Sequence, residues 1–343
     1  MLSLEYKAVK VNKPGDLVIS TEHLPDEIGE NEVLIRVRAA GLCGSDVGIY
    51  KGTNSLATYP RIIGHEIAGE IVQMGSDSDT LKKGDHVVID PVVGCGHCYA
   101  CRKGHPNVCE NLKVRGVHAD GGFAEYMIAP RQNVYRVPDR LSFEEAALVE
   151  PFSIAAQVIW RGKITSDDLV LINGCGPIGL IVLQACKVIG ARCMVSDLLD
   201  SRLEKAKSFG ADYAVNPSRQ NLEEYAMEVT QGRGVNKIVD AVGVPAILEQ
   251  AVRIASNAGG IVTLGFTPKA SALAELDITK KELEIHGSRL NSHKFPQVIE
   301  WFEKGLIQPG RMISHRFYFE NILEALKLND SEPEKISKII LQF

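Results

Sequence analysis

Leu169-Val170-Leu171-Ile172-Asn173-Gly174-Cys175-Gly176-Pro177-Ile178-Gly179 runs from an unbroken apolar stretch into a G-x-G-x-x-G turn. The apolar run suits a parallel strand covered on both faces. After it, Ile178, Ile181, Val182, Ala185, Cys186 and Ile189 fall at helical spacing. A glycine-rich turn by itself is a weak signal. Between a buried strand and an amphipathic helix, with the next strand ending at Asp197, it reads as a dinucleotide site. Gly174 permits the tight turn, Gly176 admits a pyrophosphate close to the backbone, and Gly179 lets helix and strand pack. The helix N-terminus opens with Pro177, and the free N–H groups after it, that of Ile178 first, are offered to phosphate. Asp197 is the candidate for the ribose hydroxyls. An additional phosphate about 4 Å from it would be repelled by roughly 4 kcal/mol at an effective dielectric near 20, which favours NAD over NADP. Arg202 is close enough in sequence to soften that repulsion, although a solvated helix cation is the plainer reading. Cys175 fills the turn, and Cys186 and Cys193 read as core.

Working outward, strands at Ile238-Val239-Asp240 and Ile261-Val262-Thr263-Leu264 continue a strand–helix alternation, which predicts a doubly wound α/β sheet. Past Gly287 a last helix is expected, with Phe295, Val298, Ile299 and Phe302 on one face and a stop at Gly305. The first half reads as β-rich. Val33, Ile35 and Val37 alternate with Leu34, Arg36 and Arg38, as in a half-buried strand. Ile67 to Val72, His86 to Ile89 and Tyr126 to Ala129 are further short strands. Ser142 and Glu145 form a capping box before the run Ala146 to Ile159.

Half of the eight cysteines fall in Cys95-x2-Cys98-x2-Cys101-x7-Cys109. Closely spaced thiolates converge without long-range folding, and four of them fill a tetrahedral metal, so such a site is structural rather than catalytic. Disulfides are the rival reading. Met1 to Lys7 has no apolar core and no small-residue cleavage site, so a reducing cytoplasm is expected and disulfides are disfavoured. An iron–sulfur cluster would want the fourth cysteine after three residues and a proline behind it, not Glu110. Zinc fits best. The 343 residues are enough for two domains, and 45% hydrophobic with 24% charged residues is ordinary globular composition. A net charge of −5 gives no support for nucleic-acid binding. The apolar stretch Leu169 to Ala191 contains Asn173, glycines, Pro177, Gln184 and Lys187, so a strand, turn and helix explain it better than a membrane span.

A second set of metal-ligating types is dispersed: Cys43 before Gly44-Ser45-Asp46, His65 and Glu66 in Gly64-His65-Glu66, and Glu150 before Pro151. Thiolate, imidazole and carboxylate suit a catalytic zinc with a position left open. Singly, each has a bland reading as a buried thiol, a core histidine or a surface acid. Together, with Gly64-His65-Glu66, the cysteine quartet, Asp120-Gly121-Gly122-Phe123-Ala124-Glu125-Tyr126 and the glycine fingerprint following one another in that order, they resemble the zinc-dependent medium-chain dehydrogenase/reductase superfamily over essentially the whole chain. The resemblance implies a GroES-like β-rich catalytic domain (1–150 and 290–343, with a structural zinc lobe at 93–110) and a Rossmann domain (151–289). It implies two zinc ions per chain. Cys43, His65, Glu66 and Glu150 would surround the catalytic one, without ranking the two glutamates, and the quartet would hold the other. It places Val242, Gly265 and Phe266 beside Gly174 to Gly179 and Asp197 at the NAD site.

The implied activity is oxidation of a secondary alcohol, with zinc acidifying the hydroxyl, hydride passing to NAD, and Ser45 as first proton acceptor. Glu150 stands where liver-type alcohol dehydrogenases have a second cysteine, as on the sorbitol, threonine and sugar-acid side of the family. Val149 to Ala155 and Ser288-Arg289-Leu290-Asn291 look most like oxidoreductases of hexonates such as L-galactonate or L-gulonate. The threonine branch has Thr at Ser45 and aspartate at Glu150, a departure that leaves an amino-alcohol dehydrogenase as the alternative. A non-catalytic nucleotide-binding relative would need none of the four ligands. Many relatives carry histidine where this chain has Gly48, so the proton must leave another way, with His118 a stand-in or a plain loop histidine. Arg289 could pair with a substrate carboxylate, brace a junction or touch cofactor. A homodimer or homotetramer is expected, with no nucleic-acid or membrane partner.

Overall fold

The structure, a computed structural model, describes residues 4–343. Met1 to Ser3, part of the stretch read for a leader, lie outside the described residues. The chain divides into two compact units, one running to Pro151 and resuming over Ser292–Phe343, the other Phe152–Asn291.

The first unit is built on a seven-stranded sheet whose central strand is Glu32–Leu42. On one side this strand pairs along its length with Glu66–Met74. On the other its first half pairs with Tyr126–Pro130 and its second half with Ile339–Gln342. The alternation expected for it holds only in part, because Leu34 is buried along with Val33 and Ile35. Register shifts at Leu34/Ile35 and Val37/Ala39 are the reason: a bulge breaks the two-residue period. Ser142 caps a helix as expected, but that helix stops at Ala146 and a second one begins at Val149. The helix Phe295–Glu303 is not the last. Ile322–Ser331 follows it, and the strands His315–Tyr318 and Ile339–Gln342 return the chain to the sheet.

The second unit is a six-stranded parallel sheet. In space its order is Tyr213–Val215, Arg192–Ser196, Leu169–Asn173, Val235–Asp240, Ala255–Thr263, Glu284–Gly287. Numbered by chain position this is 3-2-1-4-5-6, the doubly wound order of dinucleotide-binding domains. All five residues of Leu169–Asn173 are buried, as its unbroken apolar pattern requires. Leu169 and Leu171 pack with Leu222, Ala226, Ala251 and Ile254 from the covering helices. Lys281 donates to the carbonyls of Val252, Arg253 and Ala255, closing the C-terminal end of the helix Pro245–Ile254. Among the described residues no helix is long and apolar enough to cross a membrane.

Candidate metal centres and dinucleotide site

The four sulfurs of Cys95, Cys98, Cys101 and Cys109 lie within 4.8 Å of one another. Cys98 Sγ and Cys109 Sγ are 3.8 Å apart, the edge expected, at about 3.8 Å, for a tetrahedron with metal–sulfur bonds of about 2.3 Å. Backbone N–H groups point at the sulfurs: Cys95 and Asn111 donate to Cys109 Sγ at 3.2 and 3.3 Å, and Cys98 donates to Cys95 Sγ at 3.4 Å. The backbone around Cys101 and Glu110 pulls the Cys98 thiol down to about 6, whereas burial and then the crowding sulfurs push Cys101 up to about 12. Four thiolates cannot share this space without a cation, so the donor set fits a metal that it closes completely.

The second cluster is assembled from separate elements of the first unit. Cys43 is the N-cap of the helix Gly44–Lys51. Asp46 in that helix's first turn is fully buried and binds the site together. Its Oδ2 accepts the Cys43 N–H at 3.0 Å, its Oδ1 accepts the Gly64 N–H at 3.2 Å, and the same Oδ1 lies 3.4 Å from His65 Nδ1. Burial opposes a charge on His65, but Asp46 and then Cys43 hold its pKa well above the ordinary value. With Nδ1 facing the carboxylate, Nε2 is the nitrogen left for a metal, the arrangement that fixes tautomer and ring direction at metal sites. Ser45 Oγ stands 3.4 Å from that Nε2.

Asp120 to Phe123 do the bracing. Asp120 Oδ1 accepts from Arg61 and from the Ile62 N–H, and Gly121, Gly122 and Phe123 donate to the carbonyls of Ile62, Gly64 and Ile63. Gly64 has φ +93°, and Phe123 occupies the space where its side chain would go.

Ligand atoms of Cys43, His65 and Glu66 lie within 4.8 Å of one another, and Glu66 Oε2 is a buried carboxylate oxygen without a hydrogen-bond partner. An unpaired buried carboxylate oxygen beside a thiol and an imidazole is what a missing cation would complete, so these residues fit zinc. Glu150 is buried but outside the convergent trio. Burial pushes its pKa to about 8; His65 and Lys338 oppose the rise, and Glu66 and Asp90 add to it. Lys338, which the sequence did not single out, is 5% exposed and donates to Glu66 Oε1. Burial works against its charge, but Glu66, Cys43 and Glu150 together hold its pKa above the ordinary lysine value. Gly41 faces Glu66 across the sheet, and a Cβ there would come within 1.9 Å of Glu66 Oε2. His118 accepts the Val114 N–H through Nδ1 at 3.0 Å, a bond that ties its own loop.

In the second unit every residue singled out for cofactor lies at the carboxyl edge of the sheet, where ligands of such folds bind. Gly174 follows Leu169–Asn173 with φ +91°, and Asp197 follows Arg192–Ser196. Val242, Gly265 with Phe266, and Arg289 follow Val235–Asp240, Ala255–Thr263 and Glu284–Gly287. A Cβ on Gly179 would meet Gly174 O at 1.8 Å, so only glycine packs there; one on Gly176 would meet nothing within 4 Å, which leaves room for phosphate. Asp197 Oδ2 accepts the Cys175 N–H at 2.8 Å, and Arg202 lies 3.7 Å from the same oxygen. Arg202 is therefore paired with the ribose candidate rather than simply solvated. Leu198, Val242 and Phe266 are exposed apolar side chains at this edge, a rim suited to flat rings, and Arg289 stacks 5.5 Å over Phe266. The residues fit a dinucleotide. Asn173, whose buried amide lacks a partner at both atoms, was not anticipated.

Residues 29–139 match the alcohol dehydrogenase GroES-like domain family, and residues 177–304 match the zinc-binding dehydrogenase family. The starvation-sensing protein RspB of Escherichia coli K12 is 44% identical, over 98% of this chain and 99% of the relative. An L-threonine 3-dehydrogenase of Pyrococcus horikoshii is 35% identical over 95% and 96%, and the L-galactonate-5-dehydrogenase of E. coli K12 is 32% identical over 96% and 97%. A solved alcohol dehydrogenase, rspB from E. coli CFT073 complexed with NADH, superposes with a TM-score of 0.94 at 43% identity, covering 99% of each chain. The chain belongs to the zinc-binding alcohol dehydrogenase family of the medium-chain dehydrogenase/reductase superfamily, and it is an oxidoreductase.

Proposed function

We propose that the protein oxidises a secondary alcohol of a polyol or sugar acid, a hexonate such as L-galactonate or L-gulonate, to the ketone with NAD. The observation that carries the alcohol chemistry is the convergence of Cys43, His65 and Glu66 in one metal-sized cluster. Cys43, His65 and Glu66 would hold a zinc ion, with Glu150 behind them, and the cysteine quartet a second. Bound zinc supplies Lewis acidity that lowers the pKa of a hydroxyl. Asp46 keeps the His65 ring in one tautomer, and the Ser45 hydroxyl, beside His65 Nε2, accepts the alcohol proton as it passes its own on toward solvent or the ribose hydroxyls. Gly174 to Gly179, Asp197, Val242, Gly265 and Phe266 would bind NAD.

The sugar-acid assignment draws support from the L-galactonate-5-dehydrogenase likeness and from Arg289, whose guanidinium fork suits a carboxylate. An amino-alcohol substrate is the second reading, favoured by the comparable identity to the threonine enzyme. A homodimer or homotetramer is part of the proposal, supported by the place of Glu284–Gly287 as the last strand of its sheet, with no further strand paired to it among the described residues; light scattering of the purified chain tests it. Following NADH formation over hexonates, pentitols, hexitols, butanediol and threonine tests the substrate. Turnover on threonine alone would replace the sugar-acid reading. Arg289→Ala should raise KM for an acid far more than for its neutral polyol, and equal effects would remove the carboxylate argument.

A further inference from the structure

Lys338 and Glu66 stand 272 positions apart in sequence. The strand Ile339–Gln342 brings them together by pairing with Ala39 to Leu42, next to the strand that begins at Glu66. Both side chains are almost fully buried, at 5% and 1% exposure. The ammonium takes Glu66 Oε1, while Oε2 stays unpartnered. The carboxylate has little freedom otherwise, because the missing side chain of Gly41 is what makes room for it, and Lys338 Cε closes the same space at 3.1 Å from that Cβ position.

With zinc bound, this one carboxylate would stand between two positive charges, the ammonium already on Oε1 and the metal on the side of Oε2. A catalytic zinc needs an open position, and a carboxylate free to give both oxygens to the metal would close it. The thiolate of Cys43 and the carboxylate of Glu66 would together cancel the two charges of zinc, and buried Asp46 adds one more negative charge, so Lys338 also brings the site back to neutrality. Resting on the reading of Cys43, His65 and Glu66 as the catalytic zinc site, we propose that Lys338 is a positioning residue that keeps Glu66 from closing the metal's open position.

The test compares the wild-type holoenzyme with K338M, K338R and the neutral pair E66Q/K338M. Zinc release to a coloured chelator is followed in time, and each cobalt-substituted protein is titrated with azide while its visible bands are recorded. In K338M the freed carboxylate should slow release of the catalytic zinc about tenfold or more, the scale on which residues behind a metal ligand act. Its cobalt bands should no longer respond to azide. K338R should behave as wild type, and E66Q/K338M should lose the slow release. Should K338M not fold, K338L, which likewise has no donor for Glu66 Oε1, carries the same expectation. Unchanged or faster release in K338M overturns the proposal, and so does slow release that persists in E66Q/K338M, since that assigns the effect to lost charge repulsion alone. A wild-type protein with one zinc per chain instead removes the catalytic-zinc reading, and the proposal with it.

Discussion

The two candidate metal centres of the first unit are built on opposite plans. The lobe at Cys95 to Cys109 takes all its donors from fifteen residues and steadies them with backbone N–H groups. The cluster at Cys43, His65 and Glu66 takes donors from separate elements and steadies them with side chains, Asp46 on one flank and Lys338 on the other. Backbone N–H groups cannot be moved or titrated, so the lobe is a fixed clamp. Side-chain partners can be exchanged or charged, which suits a centre whose ligands must admit a substrate. Four sulfurs close a site, whereas a mixed set with one bare carboxylate oxygen leaves it adjustable.

The sharpest break in that contrast would come from removing one thiol from each centre. Cys43→Ser should cut NADH formation by more than about 100-fold, beyond the range seen for residues behind metal ligands, and lower zinc from about two to about one per chain, with thermal stability kept. Cys109→Ser should lose the same amount of zinc but cost stability instead, on the order of 3 kcal/mol, or a melting temperature lower by roughly 6–12 °C. Equal melting curves for the two variants would erase the distinction. Next in size is Asp46→Asn, which should weaken zinc binding at the mixed site by about 10–100-fold, read by chelator competition, and leave the lobe's zinc in place.

Glu150 sharpens the comparison through pH. In the metal-free protein its carboxyl keeps its proton up to about pH 8, while the unfolded chain ionises it near 4.5. Between those values the folded state binds more protons, so the stability this group contributes is fully present below the unfolded pKa and is lost as pH rises through the folded one. The unfolding free energy of the metal-free protein, read by denaturant titration, should fall across that window by a few kcal/mol at most, and Glu150→Gln should flatten the fall. An unchanged slope would mean that another group titrates there. The smallest effect is expected from Gly41→Ala, about 1–3 kcal/mol from forcing Glu66 aside, with faster release of the mixed-site zinc. Gly44→Ala, where a Cβ meets nothing within 4 Å, is the matched control and should be near neutral.

How much was legible depended on how far apart the partners lie in the chain. The capping box at Ser142, the buried strand at Leu169 and the glycine turn after it are local patterns, and each appears where its spacing placed it. Leu34 escaped the alternation because bulges depend on the partner strand. Ile339–Gln342 and the helix Ile322–Ser331 were missed because nothing near Lys338 marks a return to a sheet begun at Glu32. Asp46 could have been found: an acid three residues after a candidate ligand, in a helix's first turn, is a local signal.

The sequence by itself determined the doubly wound second unit, the closed cysteine lobe and the donor types of the mixed site, because periodicity and short spacing act within a few turns of chain. Which donors converge was decided only by the tertiary structure. The pairing of Glu32–Leu42 with strands from both ends of the chain brought Glu66 into the trio, set Glu150 outside it and delivered Lys338 to Glu66. Charge and burial act through space, and sequence separation does not record them.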